Sequence, residues 1–229
     1  MQTAASRVAL VAGANGLVGV ALVRALLATP EYTRVIALSR RPLPFESPRL
    51  ANRILHLETI DTALRGVTCD DAYCCLGTTR REAGSQQAFR AVDYDLVLHF
   101  ARFAQAAGAK TMVAVSSVGA AAGSRNFYLR VKGEAEAALE ALHFRSLQLM
   151  QPSLLLGARR QWRPTEAAAR VLMPLLNPLM LGAAERYRAI DAATVAAAMR
   201  AAGLTGRPGV HRHAWRALRS LARTGKTPP

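Results

Sequence analysis

Cysteine is scarce in this 229-residue sequence, which contains only Cys69, Cys74 and Cys75. Their number is odd and no C-x-x-C pair is present, so neither a disulfide framework nor a cysteine-based zinc site is predicted. Three unpaired thiols fit a reducing compartment and a buried strand. Histidine forms one close pair, His211 and His213, but no third ligand is evident, so we predict an exposed loop there and no metal site.

Lysine is also scarce, since it occurs only at Lys110, Lys132 and Lys226, and no acidic residue follows Asp191. Arginine therefore supplies most of the formal net charge of +15. Such an excess can attract nucleic acid or an anionic surface. However, no basic block with interleaved aromatic residues is present, as a nucleic-acid groove would require. We interpret the excess as a compositional bias and do not expect a nucleic-acid partner.

The sequence has no clean membrane-spanning run. The apolar stretch Val8–Ala28 is long enough to suggest a span or a signal peptide. It is interrupted by three glycines, by Asn15 and by Arg24, which favours a strand, a tight turn and a helix. We therefore expect a cytoplasmic protein without a membrane partner. The chain is 51% hydrophobic and 20% charged, so it can bury a core. Residues 1–229 are predicted to form one domain, in which 152–229 is the smaller substrate or lid part.

The turn in that stretch reads "GANGLVG", with glycines at Gly13, Gly16 and Gly19. A turn from a strand into a helix leaves backbone N–H groups unpaired at the positive end of the helix dipole. A pyrophosphate can bind there if no side chain blocks its approach, which is why glycines are needed. The spacing and its context predict a dinucleotide site that includes Asn15 and Leu17.

The residues after the second predicted strand indicate which dinucleotide binds. Proteins that bind NAD commonly place Asp or Glu at this point, for the ribose hydroxyls. This chain has Ser39, Arg40 and Arg41 instead. Because guanidinium groups attract a 2′-phosphate that a carboxylate would repel, the sequence favours NADP.

Apolar strand segments alternate with helical segments along the chain. This alternation predicts an α/β fold with a doubly wound parallel sheet and helices on both faces. The predicted strands are Val8–Ala12, Val35–Leu38, Arg53–Leu57, Ala72–Leu76, Thr111–Val115 and Ser146–Met150. One predicted helix follows Gly16, and two others cover about Gln86–Ala107 and Asn126–Leu142. Further along, a short strand precedes an N-cap at Asp191 and the helix that it begins. A last helix is predicted at the tail, around Trp215, Leu218 and Leu221.

Ligands of such sheets bind beyond the carboxyl ends of the strands. The segments that follow the predicted strands should therefore lie along one edge and form the cofactor site. The predicted cofactor-binding residues are Gly13, Asn15, Gly16, Leu17, Gly19, Ser39, Arg40, Arg41, Leu76, Gly77, Thr78, Ser116, Lys132, Pro152 and Leu154.

Within the helix Asn126–Leu142, "YLRVK" places Tyr128 four residues before Lys132, on the same face. A free tyrosine has a pKa of about 10 and is a poor base near neutrality. A nearby ammonium favours the phenolate, so the pair can act as an acid–base couple. A serine hydroxyl at the preceding strand end, Ser117 or Ser116, would polarise a substrate carbonyl.

Together, "GANGLVG", "SSVGA" and "YLRVK" resemble the short-chain dehydrogenase/reductase superfamily. The phrases "CCLGTTR", "AVDYD" and "FYLRVKGEAE" are more specifically similar to its atypical branch of Tat-interacting oxidoreductase-like proteins. The resemblance spans roughly Val8–Gly157. It implies a Rossmann fold with bound NADP and a catalytic set of Ser117, Tyr128 and Lys132, with Ser116 as the alternative serine.

The chain departs from the superfamily pattern at two positions. Asp93 stands where many members have asparagine, and Gln151 stands where related chains often have arginine before proline. The hypothesis is an NADP-dependent oxidoreductase that acts on a small carbonyl or alcohol, with Tyr128 as acid or base. The alternative is a non-catalytic NADP-binding regulator or scaffold. A homodimer or a protein partner fits either function.

Overall fold

The computed structural model describes residues 6–56, 59–156 and 182–224, and its centre is a seven-stranded sheet. All its neighbouring strands are parallel. In spatial order, the strands are β3 (Leu50–Ile54), β2 (Tyr32–Ser39), β1 (Arg7–Ala12), β4 (Asp71–Cys74), β5 (Thr111–Val115), β6 (Ser146–Met150) and β9 (Gly209–His213). A separate parallel pair consists of β7 (Leu155–Leu156) and β8 (Ile190–Asp191).

Helices connect these strands and cover the sheet. They are α1 (Leu17–Leu27), α2 (Ile60–Ala63), α3 (Arg80–Ala83), α4 (Gln86–Arg90), α5 (Leu96–Ala106), α6 (Phe127–Glu140), α7 (Ala192–Thr205) and α8 (Trp215–Thr224). A π-helical segment, Ala91–Asp95, joins α4 to α5, and a 3₁₀ segment, Gly182–Tyr187, precedes β8.

The two faces of the sheet carry separate apolar layers, because successive side chains of a strand point in opposite directions. In β1, Ala9 and Val11 pack with α1, α7 and α8, whereas Leu10 and Ala12 pack with α2 and α5. Strands buried on both faces read as continuous apolar runs, as β1 does. The predicted doubly wound α/β fold is confirmed.

The order in which strands are added to the sheet reverses at β1. The chain proceeds from β1 outward to β2 and β3, then returns to place β4 on the other side of β1. Open α/β sheets bind their ligands at such a switch point, beyond the carboxyl ends of the strands. The turn that begins at Gly13 follows β1, and Gly77 follows β4, so the two predicted loops lie at this crevice.

Two predicted elements differ in the structure. The third strand covers Leu50–Ile54 instead of Arg53–Leu57, because Leu50 pairs with Val35 and Ile54 with Ser39. It lies at the sheet edge and is only partly buried, so its apolar pattern is weak. The helix predicted over Gln86–Ala107 is present, but it includes the π-helical turn, which apolar spacing does not reveal.

The exposed loop predicted around His211 and His213 is wrong, because both residues lie in the edge strand β9. The sequence does not indicate this strand, because it is mostly polar and Val210 is its one aliphatic residue. Asp191 precedes α7 as predicted, but its side chain makes no capping hydrogen bond. The predicted tail helix is present as α8. The single-domain assignment stays a prediction, since residues 157–181 lie outside the described ranges.

Candidate functional site at the carboxyl edge of the sheet

The glycines of the turn after β1 allow close backbone packing and also leave the turn open to a ligand. A Cβ at Gly13, whose φ is +74°, would lie 2.6 Å from the carbonyl carbon and oxygen of Cys75. A Cβ at Gly19 would lie 2.2 Å from the carbonyl oxygen of Gly13. Gly16 is exposed and precedes α1 without a side-chain cap. The start of α1 at Leu17 therefore offers backbone N–H groups at an open surface.

The turn is held against the loop after β2 by side-chain hydrogen bonds. Asn15 donates from Nδ2 to the Arg41 carbonyl at 2.6 Å and accepts the Arg40 N–H at 3.1 Å. Ser39 donates to the same Arg41 carbonyl at 2.8 Å and accepts from Asn52 Nδ2 at 2.7 Å. Ser39 and Asn15 thus order this loop, and Asn52, which the sequence reasoning missed, supports it from β3.

The side chains of Arg40 and Arg41 lie at the surface of that ordered loop. Both residues are exposed, and their guanidinium groups make no hydrogen bond or ion pair with any residue that the structure describes. Two unneutralised cations beside the glycine turn form an environment that suits an anionic group such as a phosphate.

The loop after β4 is hydrogen-bonded to a buried carboxylate. Asp93, on the π-helical segment, accepts the backbone N–H of Thr78 at Oδ2 over 2.9 Å. Its other oxygen, Oδ1, lies 2.7 Å from Nζ of Lys132. Gly77 lies close to both groups, whereas Leu76 is buried in the apolar layer. The predicted residues Gly77, Thr78 and Lys132 are therefore neighbours, and Asp93 joins them.

Helix α6 places Tyr128, Lys132 and Glu136 along one stripe. The helix begins after Asn126, whose side chain accepts the Leu129 N–H at 3.3 Å. The Tyr128 ring lies 5.6 Å from that of Phe89 and is partly exposed. Its hydroxyl has no hydrogen-bond partner among the residues described, so it is available to a ligand.

Lys132 is buried, which lowers its pKa, but the carboxylate of Asp93 and the nearby Tyr128 raise it more, so the net pKa lies above the usual value. Lys132 is therefore a charged ammonium in the folded protein. Its carboxylate partner was visible in the sequence only as a departure from asparagine.

Both candidate serines are buried, and they differ in their hydrogen bonds. The Oγ of Ser116 is shut off from solvent and has no hydrogen-bond partner among the described residues. With Asp93, Lys132 and Glu136 it lines a small cavity that has room for about one water molecule. The Ser117 hydroxyl makes one long contact, 3.4 Å to the Val118 carbonyl.

Gln151 shares a buried carboxylate partner, Glu136, with a residue of the edge strand β9. Gln151 donates from Nε2 to both oxygens of Glu136, at 2.9 and 3.1 Å. Arg212, on β9, donates from Nε to Glu136 at 3.1 Å and also pairs with Glu140. Glu136 therefore accepts from both Gln151 and Arg212.

The last two predicted cofactor residues follow β6. The Pro152 carbonyl accepts the Val118 N–H at 3.0 Å, which joins this segment to the serine loop. Pro152 is buried, whereas Leu154 is 39% exposed. Leu154 also accepts the Ile190 N–H at 3.0 Å through its carbonyl. The structure therefore brings both residues to the same edge as Ser117.

Two negative findings concern the residues at 6–56, 59–156 and 182–224. Within them no helix is long and apolar enough to cross a membrane. The same residues contain no group of three or more His, Cys, Asp or Glu side chains that could hold a metal ion.

Curated relatives share this sequence at moderate identity. Protein HTATIP2 of Rattus norvegicus is 40% identical over 164 residues, which are 69% of this chain and 66% of that protein. The mitochondrial protein fmp52 of Emericella nidulans is 34% identical over 200 residues, which are 82% of this chain and 86% of that protein. These matches confirm the resemblance to the Tat-interacting branch.

Solved structures show the same fold at low identity. The human epimerase family protein SDR39U1 (isoform 2), solved with NADPH, has a TM-score of 0.61 at 18% identity and covers 90% of this chain and 74% of its own. MoeE5, solved with UDP-glucose and NAD, has a TM-score of 0.65 at 17% identity, with 90% and 74% coverage. Proteins with this fold bind either dinucleotide, so the fold supports NAD(P) binding without deciding between them.

One expectation is overturned by these relatives. The sequence was expected to belong to a cytoplasmic protein, but the fmp52 relatives are named as mitochondrial proteins. That expectation rested on rejecting Val8–Ala28 as a membrane span or signal peptide, and an apolar pattern carries no information about an organelle address.

The family follows from residues 9–163, about two thirds of the chain, which match the NAD dependent epimerase/dehydratase family. The matched range contains the glycine turn, the loop after β4 and the Tyr128–Lys132 pair. By this match and by its fold, the chain belongs to the NAD dependent epimerase/dehydratase family, within the NAD(P)-binding short-chain dehydrogenase/reductase group.

Proposed function

We propose that this chain is an NADP-dependent oxidoreductase that acts on a small carbonyl or alcohol, with Tyr128 as the proton donor or acceptor. The observation that carries the proposal is the buried, charged Lys132, one turn from Tyr128 and adjacent to the loop at Gly77 and Thr78. A positioned acid with a cationic neighbour is what carbonyl reduction requires of the protein.

The residues at the crevice fit NADP. The glycines from Gly13 to Gly19 leave backbone N–H groups open to a pyrophosphate. The exposed Arg40 and Arg41 would contact the 2′-phosphate, and Lys132 would contact the ribose hydroxyls. When bound, the reduced nicotinamide supplies the hydride.

The chain's own residues supply the remaining chemistry. We assign the carbonyl-polarising hydroxyl to Ser117, the serine that the resemblance to the short-chain dehydrogenase/reductase superfamily favours, with Ser116 as the alternative. Tyr128 donates its phenolic proton to the developing alkoxide, and Lys132 stabilises the phenolate that remains. Leu154, with its partly exposed side chain, contributes apolar surface at the same edge.

A second candidate is a non-catalytic NADP-binding regulator or scaffold. The observation that favours it is the contact between Lys132 and Asp93, since the carboxylate neutralises the cation that should act on Tyr128. In that case the protein binds NADPH but transfers no hydride to any carbonyl.

Turnover of Tyr128→Phe tests the proposed function. NADPH consumption is followed at 340 nm with a panel of aldehydes and ketones. We expect the turnover to fall by roughly 100-fold, the effect of losing a positioned general acid, while NADPH affinity stays nearly unchanged. Tyr94→Phe is the matched control, because it removes a hydroxyl from a partly buried ring that stacks on Arg90.

The two candidate functions predict different patterns across variants. The oxidoreductase loses turnover in both Tyr128→Phe and Lys132→Ala, and the latter also binds NADPH more weakly. The regulator has no turnover to lose, yet Lys132→Ala still weakens NADPH binding. A substrate whose turnover survives Tyr128→Phe contradicts the acid–base role and leaves Tyr128 and Lys132 as cofactor contacts.

A further inference from the structure

Asp93 occupies an unusual place in the fold. It is completely buried, and it lies on the π-helical segment Ala91–Asp95 between α4 and α5. A π-helical turn is rare and frequently occurs at a functional site. Here it carries the carboxylate whose two oxygens contact Nζ of Lys132 at 2.7 Å and the backbone N–H of Thr78 at 2.9 Å.

The ionisable groups around Lys132 show that Asp93 is the counter-ion of this lysine. Among the residues described, four such groups lie around it, and the segment after β5 contributes the uncharged Ser116. The four groups are Tyr128 and Glu136 from α6, Asp93 from the π-helical segment and Cys74 from β4. The charge of Glu136 is already compensated by Arg212 and Gln151.

This pairing changes what the lysine can do to the tyrosine. An isolated ammonium near Tyr128 would favour the phenolate strongly, but an ammonium 2.7 Å from a carboxylate acts more weakly on a third group, because the two charges partly cancel. An asparagine at position 93 would keep one carbonyl acceptor, for either the Thr78 N–H or the lysine, and would leave the lysine charge uncompensated. The difference between Asp and Asn is therefore electrostatic.

Gly77 brings the loop after β4 close to this pair. A Cβ at Gly77 would lie 3.4 Å from Asp93 Oδ1 and 3.5 Å from Lys132 Nζ. The loop that should contact the cofactor thus lies directly on the pair, and its Thr78 amide is bonded to the same carboxylate.

We propose that Asp93 is a positioning residue that sets the proton affinity of Tyr128 by neutralising Lys132, and that joins this couple to the Gly77–Thr78 loop. The inference rests on the proposed function only in taking Tyr128 as the reacting group. Its test needs no substrate, so it can fail or succeed independently of turnover.

The test is an ultraviolet titration of tyrosinate at 295 nm. The Tyr128 signal is isolated as the difference between each protein and the same protein with Tyr128→Phe. We expect Asp93→Asn to move the midpoint of this signal about one pH unit lower, the size of a removed charge several ångströms away. Asp61→Asn is the control, because it makes the same chemical change at an exposed carboxylate on α2 and should leave the midpoint within about 0.3 unit.

A second variant shows whether Asp93 acts through the lysine. The double variant Asp93→Asn, Lys132→Gln removes both charges and leaves no unpaired buried ion, so it remains testable if the single variant does not fold. We expect its midpoint within about 0.3 unit of the wild-type value, because the net charge beside Tyr128 is the same. An unchanged or higher midpoint in Asp93→Asn, or a double variant displaced by a full unit, overturns the proposal.

Discussion

Gly19 lies in the first turn of α1, where the helix packs against the backbone of Gly13 and Ala14. A methyl group there would lie 2.2 Å from the Gly13 carbonyl oxygen and 2.9 Å from the Ala14 Cα. Neither atom belongs to a flexible side chain, so the contact cannot be relieved by a rotamer change. The glycine is therefore required by the close packing of helix and turn, which in turn opens the N–H groups to a ligand.

Replacing Gly19 tests this requirement. We expect Gly19→Ala to lower the free energy of unfolding by about 1–3 kcal/mol, the usual cost of overpacking, and to weaken NADPH binding as the turn shifts. Chemical denaturation and calorimetry measure the two effects. Gly123→Ala is the control, since a Cβ there meets nothing within 4 Å. Equal stabilities of the two variants would contradict the packing argument.

The residues that sequence reasoning found and missed differ in how far their contacts reach along the chain. Tyr128 and Lys132 are one helical turn apart, so their spacing alone places them on one face. Asp93 contacts a lysine 39 positions later, and Asn52 supports Ser39 from a neighbouring strand. No local pattern encodes such contacts. Asp93 had a signal only in its departure from the superfamily's asparagine.

At the level of elements, the edge strand β9 shows why a strand can be hidden in a sequence. Its residues "GVHRH" lack apolar alternation, and its pairing partner β6 is about 60 residues earlier. Its polar side chains nevertheless have partners: Arg212 contacts Glu136, and His213 donates from Nε2 to Gln148 Oε1 at 2.7 Å. By contrast, β1 and β4–β6 could be predicted because they are buried on both faces.

The His213 contact predicts a pH dependence of stability. Partial burial lowers the pKa of His213 to about 4, with His211 and Arg207 adding to the effect. A base with a depressed folded pKa is protonated preferentially in the unfolded chain, so its stabilising contribution is present above about pH 6.5 and is lost as the pH falls towards 4.

We expect this histidine to account for a loss of about 2–3 kcal/mol of unfolding free energy between pH 6.5 and 4. His213→Gln, which can still donate to Gln148, should be less sensitive to acid over that window. Denaturation at pH 7 and pH 4.5 measures the difference. His56→Gln, at an exposed site, serves as the control, and an identical pH response of all three proteins would count against the burial of a neutral His213.

For the whole molecule, the parallel sheet gathers the candidate site along one edge. The glycine turn after β1, the arginine loop after β2, Gly77 after β4 and Ser117 after β5 are far apart in sequence but follow neighbouring strands. The alternation of strands and helices made this edge predictable. The assignment of roles within it stays a prediction, as does the interpretation of the net charge of +15 as compositional.

The central claim is that the carboxyl edge binds NADP in preference to NAD, and calorimetric titration of the protein with NADPH and NADH tests it most directly. We expect NADPH to bind at least tenfold more tightly, about 1.4 kcal/mol or more. Arg40→Asp should remove most of that preference, because a carboxylate repels the 2′-phosphate, whereas Arg145→Asp, at the amino edge of the sheet, should retain it. Equal affinities for the two dinucleotides, or a preference for NADH, in the wild-type protein would contradict the account.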